Sequence, residues 1–84
     1  MTVQTKDRKY YETLFRPYPD LVTIDQFRKM LGGIGNGTAR KLLQENYVHH
    51  FMIKHTYLIP KTYIVDYVLS DHYSTYKKTL QVEI

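Results

Sequence analysis

The sequence lacks cysteine and tryptophan entirely. Without thiols it can form neither a disulfide framework nor a thiolate metal site. No hydrophobic run approaches the roughly 20 residues that a membrane-spanning helix needs, and the polar start of the chain does not have the pattern of a signal peptide. These absences predict a soluble, cytoplasmic protein with no membrane partner, whose stability depends on packing unless it associates with a partner.

The chain has 84 residues, of which 43% are hydrophobic and 24% charged, a balance typical of one small globular domain. Its net charge is +4. Residues 23–61 hold six basic and two acidic side chains, so this segment accounts for the whole surplus. A basic surplus indicates a polyanionic partner only weakly, and a well-solvated surface is the alternative interpretation.

Two short helices are predicted in this segment. Thr23 and Gln26 have the spacing of a capping box, which predicts a helix over residues 24–31 that ends in a glycine-rich turn. A second helix is predicted over residues 37–45. Its inner face would carry Ala39, Leu42 and Leu43, and its outer side would carry Gly37, Thr38, Arg40, Lys41 and Gln44.

Two short helices joined by a glycine turn are typical of a helix-turn-helix. An αα-hairpin used only for packing is the alternative, but the cations, amides and hydroxyl of the second helix favour DNA. Asn36 has two interpretations of equal weight, as a base contact or as the N-cap of its own helix. Thr38 has a similar alternative, a hydrogen bond within the first turn.

The pattern then changes to that of a β-hairpin over residues 48–59. Phe51 and Ile53 are expected to share one face with Tyr57 and Ile59, across a loop of Lys54-His55-Thr56. A helix is predicted over residues 61–70, with a strand as the alternative because the segment is rich in β-branched residues. The extension of residues 1–19 contains a short helical pattern over residues 7–16. The tail of residues 71–84 is polar, and its alternation over residues 79–84 is strand-like.

The order helix, glycine turn, helix, hairpin, helix predicts a mainly α fold with a small hairpin, a winged helix-turn-helix. The residues Ile34-Gly35-Asn36-Gly37-Thr38-Ala39 and Tyr57-Leu58-Ile59-Pro60-Lys61 also resemble the excisionase family, small winged helix-turn-helix proteins related to the DNA-binding domain of mercury-resistance regulators. The resemblance covers residues 20–70. It implies a recombination directionality factor of a phage or integrative element, which binds repeated sites, bends the DNA and steers an integrase, a tyrosine recombinase.

The resemblance also implies which residues contact double-stranded DNA. The second helix would read the major groove through Asn36, Gly37, Thr38, Arg40, Lys41 and Gln44. The wing would contribute Lys54, His55 and Thr56, while Arg28 and Lys61 are candidates for contacts to the DNA backbone. Met52 and Leu58 stand where arginine is common in the family. Together with His50, they could instead form a contact between protomers in self-association on DNA.

No catalytic or cofactor pattern is present. His49, His50 and His55 have no cysteine partners, and two neighbouring histidines on a strand point to opposite faces, so no metal site is expected. No nucleophile–base pair or phosphate-binding loop indicates an enzyme. Two alternatives to the recombination role remain open: a small transcriptional regulator, such as a repressor of a mobile element, and a protein–protein adaptor without DNA.

Overall fold

The computed structural model describes residues 7–80 of the chain. This part is mainly helical, with five helices and one three-stranded antiparallel sheet. The elements in chain order are α1 (Arg8–Leu14), β1 (Leu21–Val22), α2 (Ile24–Met30), α3 (Asn36–Gln44), β2 (Phe51–Ile53), β3 (Thr56–Pro60), α4 (Lys61–Val68) and α5 (Asp71–Leu80). The predicted combination of helices with a small hairpin is confirmed at this level.

Helix α2 begins where the sequence predicts and ends one residue earlier, at Met30. The Thr23 hydroxyl accepts a hydrogen bond from the Gln26 backbone N–H at 3.3 Å, and the Gln26 side chain accepts from the Thr23 N–H at 2.9 Å. This reciprocal pair is the predicted capping box. The turn after the helix contains Gly32 and Gly33 at φ values of 85° and 90°, a region that glycine enters at little steric cost.

Helix α3 begins and ends one residue earlier than predicted. Gly35 is its N-cap residue, so the interpretation of Asn36 as N-cap is wrong. The extended backbone of Gly35, with φ −69° and ψ 158°, starts the helix one residue sooner and places Asn36 in the first turn. The three apolar residues of the predicted inner face are buried: Ala39, Leu42 and Leu43.

The β2–β3 hairpin has a two-residue turn, Lys54-His55, in place of the predicted three-residue loop. Both residues take positive φ values, 49° and 68°, and Thr56 is the first residue of β3. A two-residue loop with two positive φ values is the turn whose twist suits a hairpin, although asparagine and glycine are its usual residues.

The shorter turn changes which side chains share a face. Met52 lies opposite Tyr57, and Phe51 lies opposite Leu58. The expectation that Phe51 and Ile53 share a face with Tyr57 is therefore wrong, because a shift of one residue in register moves every side chain to the other face. All three residues of β2 are exposed.

Strand β1 was not predicted from the sequence pattern. Its two residues pair antiparallel with β3, with Leu21 opposite Pro60 and Val22 opposite Ile59, so the sheet order is β1-β3-β2. The Lys61 N–H also donates to the Asp20 carbonyl at 2.7 Å. These bonds join the segment before α2 to the end of the hairpin.

Helix α4 confirms the predicted third helix of the module, although it ends two residues earlier, at Val68. The strand alternative for this segment is wrong, because the helical spacing buries Ile64, Val65 and Val68 together. The short helix predicted near the start of the chain is also confirmed as α1. Arg8 of α1 forms an ion pair with Asp66 of α4.

Helix α5 replaces the predicted polar tail, and the strand-like expectation is wrong for residues 79–80. Residues 81–84, where the rest of that pattern falls, lie outside the described part of the chain. The Ser70 hydroxyl accepts from the Tyr73 N–H at 3.3 Å and caps the helix, while Lys77 and Lys78 occupy the last turn, where the helix dipole favours cations.

One hydrophobic core connects these elements. Phe27 of α2, Ile59 of β3 and Ile64 of α4 are fully buried, and Tyr11 of α1 and Tyr73 of α5 extend the same cluster. Within residues 7–80, no helix combines the length and the apolar character needed to cross a membrane.

Candidate nucleic-acid interface

The outer side of α3 is polar and solvent-accessible. Arg40, Lys41 and Gln44 are exposed, as are Asn36 and Gly37 in the first turn. Thr38, the remaining residue of the set that the sequence predicts, is half-buried. The opposite side packs into the core, which fixes the direction in which these groups point. Six residues from one nine-residue helix thus form a surface of two cations, two amides, a hydroxyl and a glycine backbone.

The first turn of α3 has backbone N–H groups that could donate hydrogen bonds to an anion. The first turn of a helix leaves its N–H groups without intrahelical acceptors. Gly35 makes no side-chain cap there, and the first turn contains no acidic residue. The backbone amides of Asn36 and Gly37 are therefore well suited to a phosphate group, because the helix dipole adds a partial positive charge at this end.

A cation–π contact connects α3 to the hairpin. The Arg40 guanidinium carbon lies 5.9 Å from the centre of the Tyr57 ring in β3. Tyr57 is buried and also contacts the His50 ring at a centroid distance of 5.3 Å. A side-chain contact that the sequence pattern did not predict thus joins the hairpin to the outer side of α3.

The predicted wing residues occupy the far end of the hairpin. Lys54 and His55 form the turn itself, and their side chains are exposed. Thr56 follows as the first residue of β3 and lies opposite Ile53. A cation and an imidazole therefore lie at the tip of the two-stranded hairpin.

The two predicted backbone contacts, Arg28 and Lys61, are held by internal hydrogen bonds. Arg28 Nε donates to the Ile34 carbonyl at 3.0 Å, across the glycine turn, and Lys61 Nζ donates to the Tyr18 carbonyl at 2.8 Å. Each side chain therefore helps to hold a loop in place. Each also has further N–H donors, so contacts to DNA phosphates by these residues stay a prediction.

The electrostatic character of this part of the chain is strongly one-sided. Residues 26–65 contain six lysines and arginines but a single carboxylate, Glu45. Asp25, just before this segment, lies 3.4 Å from Arg28 and forms an ion pair with it. Along this stretch of the sequence, lysine and arginine therefore outnumber carboxylates six to one.

A cluster of aromatic side chains lies beside the C-terminal part of α3. The His72 ring stacks on Tyr47 at a centroid distance of 3.6 Å, and Tyr67 and His72 share a hydrogen bond of 3.0 Å. A cavity of about 230 Å³ is lined here by Lys41, Leu42, Glu45, Tyr47, His72 and Tyr76. Helix α5 thus contacts, through His72, the Tyr47 side chain that follows the end of α3.

The sequence contained a signal for helix α5. Ser70 has the position of an N-cap, and His72 and Tyr76 have the i, i+4 spacing of one helix face.

Burial raises the pKa of the Tyr67 phenol above its ordinary value, and the neighbouring phenols of Tyr76 and Tyr73 add to this effect. Tyr67 therefore stays neutral well into the alkaline range.

The histidines next to the hairpin make local contacts within the described part of the chain. Among the described residues, no group of three or more histidine, aspartate or glutamate side chains is arranged to hold an ion. His50 Nδ1 lies 2.9 Å from the Val48 carbonyl, and His49 contacts the Tyr63 ring. The histidines next to the hairpin are thus engaged in local contacts.

No protein-family model, curated protein or solved structure matches the chain at a significant level.

Proposed function

We propose that residues 20–70 form a winged helix-turn-helix domain that binds double-stranded DNA. The observation that carries the proposal is the outer side of α3, where Arg40 and Lys41 are exposed between two amide side chains and next to the hairpin. In this arrangement α2 supports α3 across the glycine turn, α3 enters the major groove, and the hairpin is the wing. The protein acts by binding and not as an enzyme.

The side chains on α3 have the chemistry that base recognition needs. Arg40 and Lys41 can each donate to guanine O6 and N7, while Asn36 and Gln44 can pair with adenine N6 and N7. A good bidentate contact contributes about 1–3 kcal/mol of discrimination between bases. The amides at the start of α3 fit a phosphate and would set the register of the helix on the duplex.

The size of the domain favours binding at several adjacent sites. A single module of this kind buries roughly 600–1,000 Å² of protein surface, too little for strong specificity alone. We therefore propose a recombination directionality factor of the excisionase type, which binds repeated sites, bends the DNA and acts with an integrase of the tyrosine recombinase class. A small transcriptional regulator would use the same helix at the same groove.

The test is a binding measurement with a duplex obtained by selection from random sequence. Arg40→Ala combined with Lys41→Ala should lower affinity at least about tenfold, since each removed base contact is worth 1 kcal/mol or more. Lys9→Ala combined with Arg16→Ala is the matched control, because it removes two exposed cations outside α3 and the hairpin. Equal affinity for both double variants would refute the α3 interface.

Two further measurements separate the related functions. For a DNA-binding protein, the slope of log K against log salt steepens by about 0.9 for each phosphate contact, whereas an adaptor that binds only protein shows little salt dependence. Circular-permutation assays on duplexes with one or several phased sites measure bending. A strong bend that grows with the number of sites supports the recombination role, and binding without a bend supports a simple repressor.

A further inference from the structure

Strand β2 exposes three consecutive apolar side chains. Phe51, Met52 and Ile53 are 55%, 53% and 56% exposed, which is unusual for neighbouring large hydrophobic residues. The sheet order β1-β3-β2 places this strand at an edge, so nothing in the described part of the chain covers its outer side. A packing role within the domain therefore does not explain these residues.

The three apolar residues of β2 lie next to the tip of the hairpin. Phe51 and Ile53 share one face with Leu58 and Thr56 of β3, whereas Met52 lies on the other face with Tyr57. Ile53 directly precedes the Lys54-His55 turn and is the apolar side chain nearest to the tip. Two-stranded β-ribbons can enter a DNA groove, and here apolar side chains lie directly behind the polar turn at the tip.

The charges around the hairpin indicate a polyanionic partner. Residues 46–65 contain no carboxylate, and Lys54 adjoins Ile53 at the tip. Arg40 contacts the ring of Tyr57, which lies opposite Met52 in the hairpin. An apolar wedge bordered by cations fits DNA, where stacked bases provide apolar surfaces between rows of phosphates, better than it fits a neutral or basic protein surface.

We propose that the wing inserts Ile53, with Phe51 behind it, between two base pairs in the minor groove beside the site of α3. The proposal rests on the DNA binding described under Proposed function and adds to it how the DNA is bent. Apolar side chains that enter a base step partly unstack it and kink the duplex toward the major groove. Pyrimidine–purine steps are the expected targets, because they unstack most easily. In this proposal the wing kinks the DNA, while α3 recognises the base sequence.

The experiment uses the full-length protein and the selected duplex with 2-aminopurine placed at successive steps beside the α3 site. Fluorescence reports unstacking, and energy transfer between the duplex ends reports the bend. Ile53→Thr and Phe51→Thr remove apolar surface while keeping a good strand former at an exposed position. Leu21→Thr is the matched control, because Leu21 is 49% exposed in β1, at the other edge of the sheet.

The expected result is a rise in 2-aminopurine fluorescence at one step with the unchanged protein. Ile53→Thr should abolish this rise, reduce the bend and lower affinity about tenfold, which corresponds to about 1.4 kcal/mol. The salt dependence should stay unchanged, since no cation is removed. Leu21→Thr should behave like the unchanged protein in all three measurements.

Three outcomes would overturn the proposal, and they differ in what they leave standing. If the unchanged protein binds DNA through Arg40 and Lys41 but no step unstacks, the wedge is refuted and the DNA-binding function remains. If sedimentation shows a dimer of the free protein that Ile53→Thr dissociates, the exposed apolar strand β2 is a surface that binds a second copy of the chain. If the protein binds no duplex at all, the proposed function fails, and the wedge fails with it.

Discussion

The turn of the hairpin provides a quantitative test of the structure. Lys54 and His55 both adopt left-handed backbone conformations, with φ values of 49° and 68°. For a residue with a Cβ atom this conformation costs roughly 1–2 kcal/mol, because Cβ approaches the following carbonyl oxygen. Glycine avoids that cost but loses about 0.5–1 kcal/mol more conformational entropy when the chain folds. The difference predicts that His55→Gly stabilises the protein by roughly 0.5–1 kcal/mol.

Thermal unfolding followed by circular dichroism measures this effect. A change of 1 kcal/mol moves the midpoint of a domain of this size by roughly 4–8 °C, so His55→Gly should raise it by several degrees. Thr56→Gly is the matched control: Thr56 is the next residue and lies in β3, where glycine should destabilise by about 0.5–1 kcal/mol. If both variants lowered the midpoint equally, His55 would not be left-handed, and the two-residue turn would be wrong.

Three more predictions concern stability. Thr23→Ala should cost about 1 kcal/mol in urea unfolding, because it removes the capping hydroxyl of α2, while Thr23→Ser should cost little. Asp66→Asn breaks an exposed ion pair with Arg8 and should cost less than about 1 kcal/mol, and a larger loss would show that α1 depends on that pair. The raised pKa of Tyr67 contributes stability that is complete below pH 10 and is lost as pH rises further, because the unfolded chain then releases its proton first. Tyr67→Phe removes the hydrogen bond to His72 and should therefore lower the free energy of unfolding by about 1 kcal/mol at pH 8. The difference in unfolding free energy between the variant and the unchanged protein should shrink above pH 10.

Local signals in the sequence predicted the elements that carry the candidate interface. The capping box of Thr23 and Gln26 fixed the start of α2, because both of its bonds are made within four residues. The periodicity of α3 correctly separated buried Leu42 and Leu43 from exposed Arg40, since helical spacing alone decides which residues share a side. Such features depend on nearby residues and can be derived without knowledge of the tertiary structure.

Features that depend on distant residues could not be derived in this way. Strand β1 has two residues, too few for an alternating pattern, and it is defined by its pairing with Ile59 and Pro60. The Lys54-His55 turn has none of the usual turn residues, so no local pattern favoured two loop residues over three. The contact between Arg40 and Tyr57 joins positions far apart in the sequence, which no periodicity can show.

The exposed strand of the hairpin and the flanking helices are related through the hydrophobic core. Strand β2 has all three residues exposed and adds nothing to the buried core, so the domain needs apolar burial from other elements. Tyr11 and Phe15 supply it from the N-terminal side, and Tyr73 supplies it from α5; each is at most 3% exposed. These residues lie outside the proposed DNA-binding module of residues 20–70. The flanking helices thus stabilise the module from two sides, while Phe51 and Ile53 stay outside the core and available for contact with a partner.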